Sequence, residues 1–148
     1  KRTTIWDNTL VVLIADHGVN YGSKKPRHDP SKFKIPMLWL GGALDKTGVQ
    51  ITQTCSQTDI YETLLNQLDI THTINPYSKD ILKSKGYAFY SYNNGFGFVT
   101  DTTNTCYDLN AKQFIINTSR KDSLAGSSYM QHWVDNFNQL ESIKNHIN

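Results

Sequence analysis

The chain has 148 residues, enough for one domain with a core, and its 38% apolar and 19% charged content is globular, which excludes fibrous, collagen-like and disordered classes. A net charge of +2 is too small for a phosphate-backbone binder, so nucleic acid is not expected as a partner. The longest apolar run, Leu10 to Ala15, falls far short of the roughly 20 residues that span a bilayer, so no membrane segment is expected in this chain. At the amino terminus, Lys1-Arg2-Thr3-Thr4-Ile5-Trp6 is basic but leads into Asp7 and Asn8, without the apolar core and cleavage site of a secretion signal.

Thr9-Leu10-Val11-Val12-Leu13-Ile14-Ala15 is apolar without alternation and rich in β-branched residues, which predicts a strand buried in a parallel sheet and covered on both faces. It ends at Asp16-His17-Gly18. A second run, Ile35-Pro36-Met37-Leu38-Trp39-Leu40, stops at Gly41-Gly42, with Pro36 tolerable at the start of a strand. Between them, residues 19–34 hold Gly22, Pro26, Pro30 and many charges, the composition of an irregular exposed loop.

Ser56 and Asp59 resemble a capping box, and Ile60, Tyr61, Leu64, Leu65 and Leu68 recur on one helical face, predicting a helix over 57–68 that packs on the sheet. Residues 69–78, with Pro76, read as a connection. From Gly86 the period becomes two, and Asn93-Asn94-Gly95 offers residues suited to positive φ, a hairpin signal. Short strands over 96–100, 105–109 and 112–117, the last two turned at Asn110-Ala111, extend it into an antiparallel meander. Met130, Trp133, Val134, Phe137, Leu140 and Ile147 then mark an amphipathic terminal helix over about 127–147. The aromatics of the meander, Tyr87 to Phe98, could form a carbohydrate or lipid platform, but in a hairpin they read first as packing.

Two parallel core strands are few for an independent doubly wound domain, so the sheet is expected to be incomplete and the chain to be a piece of a larger protein. Cys55 and Cys106 match no paired metal spacing; they read as two buried thiols, and a disulfide between them stays open.

Asp16 and His17 join a hard oxygen ligand to an imidazole at a strand end, a pair that suits Zn²⁺ or Mn²⁺ ahead of Ca²⁺ or Mg²⁺. Neighbouring side chains on a straight strand diverge, so both face one ion only if the strand breaks, and Gly18 allows that turn. The plainer alternative has Asp16 capping the next turn and His17 as an ordinary hydrogen-bonded histidine. Lys24, Lys25, Arg27, Lys32 and Lys34 surround His28, and such a loop could hold a phosphate or sulfate oxyanion through Lys25, Arg27 and His28, or be a solvated basic loop. His72, His132 and His146 have no partner at ligand spacing and read as surface or satisfied histidines.

The run from Asp7 to Gly18, then His28, then Lys34 to Trp39, then Ser56 to Leu65, resembles the sulfatase and alkaline-phosphatase superfamily in order and spacing. Ser78-Lys79-Asp80-Ile81-Leu82 followed by 88–98 looks like the bacterial lipoteichoic-acid-synthase-type proteins, also called phosphoglycerol transferases. The resemblance implies an α/β fold, the carboxy-terminal part of an alkaline-phosphatase-like sandwich, occupying residues 1–148 with its core part over about 7–70 and its antiparallel subregion over about 86–118. It implies that Asp16 and His17 ligate Mn²⁺ or Zn²⁺, and that His28 sits by the substrate's phosphoryl or sulfuryl group or on a second metal.

It also places the nucleophile and a further acidic ligand upstream, so that no catalytic nucleophile is expected in this chain, which alone would be inactive. Neither Cys55-Ser56-Gln57 nor Cys106-Tyr107-Asp108 matches the sulfatase nucleophile pattern. The implied reaction of the parent is metal-assisted displacement through a covalent enzyme intermediate, on a phosphate or sulfate ester such as a lipid head group or glycan, at an extracytoplasmic membrane surface. The implied partners are that substrate and the remainder of the parent catalytic domain. Phosphoglycerol or other head-group transfer, sulfuric-ester hydrolysis, and a non-catalytic binding module with the same fold are the alternatives.

Overall fold

The computed structural model describes residues 4–18 and 24–147, and divides into two compact units, residues 1–52 and 53–148. Gly22 of the expected loop lies outside the described residues.

The first unit contains α1 (Thr4–Asp7), β1 (Val11–Ile14), a 3-10 turn (Pro30–Phe33) and β2 (Met37–Leu40). β1 and β2 pair antiparallel, with Leu13 opposite Leu38 and Ile14 opposite Met37. This corrects the expected parallel arrangement. Unbroken apolar runs report burial but not direction, and a parallel return needs a crossover that is usually a helix. Only the 3-10 turn is described between the two strands, and the chain comes back antiparallel. β2 begins after Pro36, which has no N–H to give the ladder; its carbonyl accepts from the Ala15 N–H at 3.5 Å. Leu13 and Leu38, each 52% exposed, form an open apolar face, so the cover expected on both faces is not supplied there. Gly41, at φ +128°, ends the ribbon where an added Cβ would stand 1.9 Å from the Thr9 carbonyl oxygen.

In the second unit a 3-10 turn (Gln57–Asp59) leads into α2 (Ile60–Gln67), close to the span read from the sequence. The capping box forms, the Ser56 N–H donating to Asp59 Oδ2 at 2.7 Å. The helix buries Glu62 and Thr63, whereas Tyr61 and Leu68 are exposed. That corrects the expected apolar face. The polar residues go inside because the following segment satisfies them: the Glu62 N–H donates to Ser78 Oγ at 3.0 Å, and Thr63 Oγ1 accepts from the Ile81 N–H at 3.0 Å.

β3 (Tyr87–Tyr92), β4 (Gly95–Thr100), β5 (Asn104–Asp108) and β6 (Gln113–Asn117) form one antiparallel sheet in that order, the expected meander. The first hairpin turns at Asn93-Asn94, but the non-glycine residues with positive φ, among those described, are Asp69 and Lys112. The expectation of positive φ at 93–95 therefore does not hold. It holds instead beside the last hairpin, where Lys112 sits at φ +52° and Asp108 Oδ1 accepts the N–H groups of Asn110 and Ala111.

α3 (Arg120–Ile147) packs on β4, β5 and β6. It is described in its backbone, and in its side chains only as far as Asp135 and without Trp133, so Trp133, Phe137, Leu140, His146 and Ile147 lie outside the described side chains. The helix starts at Arg120, not near 127, and Val134 is exposed. Its buried first turns are Ser123 and Gly126, which carry no apolar signal. They are small for a reason: a Cβ on Gly126 would stand 2.9 Å from Phe98 Cβ, so glycine lets helix and sheet approach. Rings fill the rest of that layer, Phe89 stacking on Tyr129 at 4.8 Å and Phe96 on Tyr107 at 5.4 Å. The meander aromatics therefore serve packing. Cys55 and Cys106 are free thiols; Cys106 is buried and Cys55 half-buried. Burial pushes the Cys106 thiol up.

Candidate functional site

β1 delivers Asp16 and His17 to its carboxyl end, where both side chains are open to solvent, 90% and 81% exposed. Asp16 Oδ1 accepts the His17 backbone N–H at 2.9 Å, and His17 Nδ1 lies 3.0 Å from the Gly18 carbonyl oxygen. The turn after β1 thus does what the strand could not: it brings Asp16 Oδ1 and His17 Nε2 to 3.8 Å. Because the Gly18 carbonyl only accepts, Nδ1 carries the proton and Nε2 offers its lone pair when the ring is neutral. A metal-ligating histidine commonly has its other nitrogen on a carbonyl in this way.

The two atoms stand a little farther apart than donors on one tetrahedral ion, which bonds of about 2.0–2.2 Å place roughly 3.3–3.6 Å from each other, so a small turn of either exposed side chain would bring both onto one cation. Two donors are half of a four-ligand set, and the described residues contain no group of three or more His, Cys, Asp or Glu side chains.

Gly18 fixes the strand end against the 3-10 turn. An added Cβ there would stand 1.9 Å from the Lys32 carbonyl oxygen, a backbone atom that cannot swing aside. Gly18→Ala is therefore expected to lower stability by about 1–3 kcal/mol, measured as a lower denaturation midpoint, with Asp16 and His17 unaltered.

Within the basic loop, Asp29 caps the 3-10 turn by accepting from the Ser31 N–H at 2.8 Å, and Lys25 Nζ donates to Ser31 Oγ at 2.7 Å and lies 4.0 Å from Asp29 Oδ2. Hydrogen bonds from Ser31, then the charges of Lys25 and His28, hold the Asp29 carboxyl below its usual range. Lys25 thus holds the loop through Ser31 and Asp29, the one acid among its basic residues. Arg27 is exposed and His28 half-buried. Asp16 pairs with His17, and Lys25 with Asp29 and Ser31, as two separate sets on the same unit.

Comparison with known proteins adds the fold. A crystal structure at 1.95 Å of a protein in the alkaline phosphatase superfamily from Vibrio parahaemolyticus matches with a TM-score of 0.60 and 20% identity, covering 88% of this chain. The fold is similar to part of an alkaline-phosphatase-superfamily protein. This chain spans 37% of the length of that one. No family model and no curated protein matches the chain. The alkaline-phosphatase-like fold therefore rests on structure, and the resemblance read from Asp16-His17-Gly18 and the segments after it agrees with that fold. Among the described residues no helix is long and apolar enough to cross a membrane.

The structure also exposes a polar cluster that periodicity did not find. Asp59 and Lys79, 2% and 7% exposed, form a buried ion pair, with Lys79 Nζ also donating to the Tyr87 carbonyl at 2.8 Å and lying 4.0 Å above the Tyr87 ring. Glu62 pairs with His72, so His72 is a satisfied histidine, as expected. Asp59 is half of the capping box, and a carboxylate at that position followed by Ser78-Lys79-Asp80 was the available signal, but spacing cannot show that residues this far apart meet.

Proposed function

We propose that this chain supplies two metal ligands, Asp16 and His17, and an oxyanion-facing loop to a metal-dependent enzyme acting on phosphate or sulfate esters. The observation that carries the proposal is the 3.8 Å approach of Asp16 Oδ1 to His17 Nε2, with Nδ1 tied to the Gly18 carbonyl. When bound, Mn²⁺ or Zn²⁺ supplies positive charge against the developing oxyanion. The chain's own residues position and bind: Gly18 orients the imidazole, and the Lys25, Ser31 and Asp29 contacts hold the loop. Arg27, with its planar fork of donors, and His28 receive the ester's oxygens. Since two ligands do not complete a site, the remaining ligands and the nucleophile belong to sequence outside these residues, in keeping with a chain that spans 37% of the structure it matches.

Phosphoglycerol or other head-group transfer at an extracytoplasmic membrane surface is the reaction we favour. Its support is the likeness of Ser78-Lys79-Asp80-Ile81-Leu82 and 88–98 to the lipoteichoic-acid-synthase type. Sulfuric-ester hydrolysis is the second reading, because the oxyanion loop suits either group.

Elemental analysis of the parent protein tests the metal assignment. Near-stoichiometric Mn or Zn is expected in the wild type, with loss of most of it in Asp16→Ala and in His17→Ala while the fold persists by circular dichroism. Equal metal in all three would remove Asp16 and His17 as ligands. No metal in the supplemented wild type would favour a binding module with this fold.

A further inference from the structure

Glu62 lies in α2 and His72 in the connection that follows it, and their side chains are 9% and 13% exposed, with His72 Nε2 2.8 Å from Glu62 Oε2. His72 Nδ1 lies 2.8 Å from the Ile70 carbonyl oxygen. A carbonyl and an ionised carboxylate only accept hydrogen bonds, so both ring nitrogens donate, and only the imidazolium can do that. The other carboxylate oxygen, Oε1, accepts the Asn75 N–H at 2.8 Å. One carboxylate thus fastens two points of the connection to the helix.

Among the described residues, the Tyr61 and His72 rings meet perpendicular at 5.7 Å between centroids, and Asp69, at φ +52°, lines with Leu65, Asn66 and His72 an open cavity of about 270 Å³. No lysine or arginine is among the residues that line the cavity.

We propose that Glu62 and His72 form a proton-held clasp, closing residues 70–75 onto α2 while His72 is charged and releasing them when it is neutral. A neutral ring must point a lone pair at either the Ile70 carbonyl or the Glu62 carboxylate. Acceptor then faces acceptor, and one of the two fastenings is lost.

The ionisation equilibria run the same way. Hydrogen bonding to Glu62, then to the Ile70 carbonyl, raises His72 above its ordinary 6.5, and hydrogen bonding from His72, then from Asn75, holds Glu62 below its ordinary 4.5. His72's contribution is whole below 6.5 and is lost as pH rises through its raised value. Glu62's contribution is whole above 4.5 and is lost as pH falls through its lowered value. The clasp is therefore closed between the lowered Glu62 value and the raised His72 value, and it opens as pH rises through the latter. This reading is independent of the metal assignment.

The test is a pH titration of the full chain by NMR, following the His72 ring nitrogens and the exchange protection of the Asn75 amide. The Leu68 amide, which donates to the Leu64 carbonyl at 3.0 Å within the helix end, is the internal reference. Both ring nitrogens should stay protonated beyond the ordinary histidine range, and Asn75 should lose protection at the His72 midpoint while Leu68 keeps its own. In His72→Gln, Asn75 protection should show no such midpoint. A His72 midpoint at or below the ordinary value overturns the proposal, as does Asn75 protection that ignores the midpoint. Should His72→Gln fail to fold, the wild-type titration decides alone.

Discussion

Lys79→Met is expected to destabilise the unit formed by residues 53–148 by about 3–5 kcal/mol, the cost of removing one partner from a buried ion pair. Asp59 is 2% exposed, and after the substitution its carboxylate keeps, among the described residues, the backbone N–H groups of Ser56 at 2.7 Å and of residue 79 at 3.1 Å. Methionine fills the volume of the lysine stem and lies well against the Tyr87 ring, so lost packing does not account for the effect. The Tyr87 carbonyl, which accepts from Lys79 Nζ at 2.8 Å, loses a donor as well. Urea denaturation of the full chain measures the change. The double variant Asp59→Asn/Lys79→Met should recover a large part of it, because removing both charges removes the unpaired one. A single variant within about 0.5 kcal/mol of wild type would show that the pair is solvated and that its burial contributes nothing.

Gly95→Ala is expected to be the second large effect, about 1–3 kcal/mol, from overpacking at the start of β4. An added Cβ would stand 2.0 Å from the Tyr107 carbonyl oxygen and 2.6 Å from the Tyr92 hydroxyl oxygen. The Tyr92 hydroxyl is itself held, donating to that carbonyl at 3.0 Å and lying 3.3 Å from Cys106 Sγ, so it cannot retreat without breaking a contact. Two explanations of the glycine give opposite rankings of substitutions. If positive φ were the requirement, asparagine would be tolerated better than alanine. Because space is the requirement, Gly95→Asn should be the more destabilised of the two, and the order of the urea midpoints distinguishes them.

The sequence alone was enough for elements whose cause is local. The meander follows from alternation, the start of α2 from the Ser56 and Asp59 box, and the end of β1 from Asp16-His17-Gly18 after an apolar run, since each depends on neighbours in the chain. The place of Asp16 and His17 at a strand end was legible for the same reason, but the backbone freedom expected of Gly18 is not what the fold uses: its φ is not in the positive region, and glycine is needed there because the Lys32 carbonyl stands too close for a Cβ.

Tertiary structure decided what local pattern leaves open. The direction of β2 against β1 came from the returning chain and not from composition. The burial of Glu62 and Thr63 came from partners supplied by Ser78 and Ile81, and the early start of α3 from a sheet that accepts only small side chains at Ser123 and Gly126. Lys79 and His72 show the limit most clearly. Lys79 would read as a solvated residue, and His72 as a surface or satisfied histidine with no partner named, because a charge goes inside only when a specific opposite charge meets it there, and that meeting is a property of the folded chain.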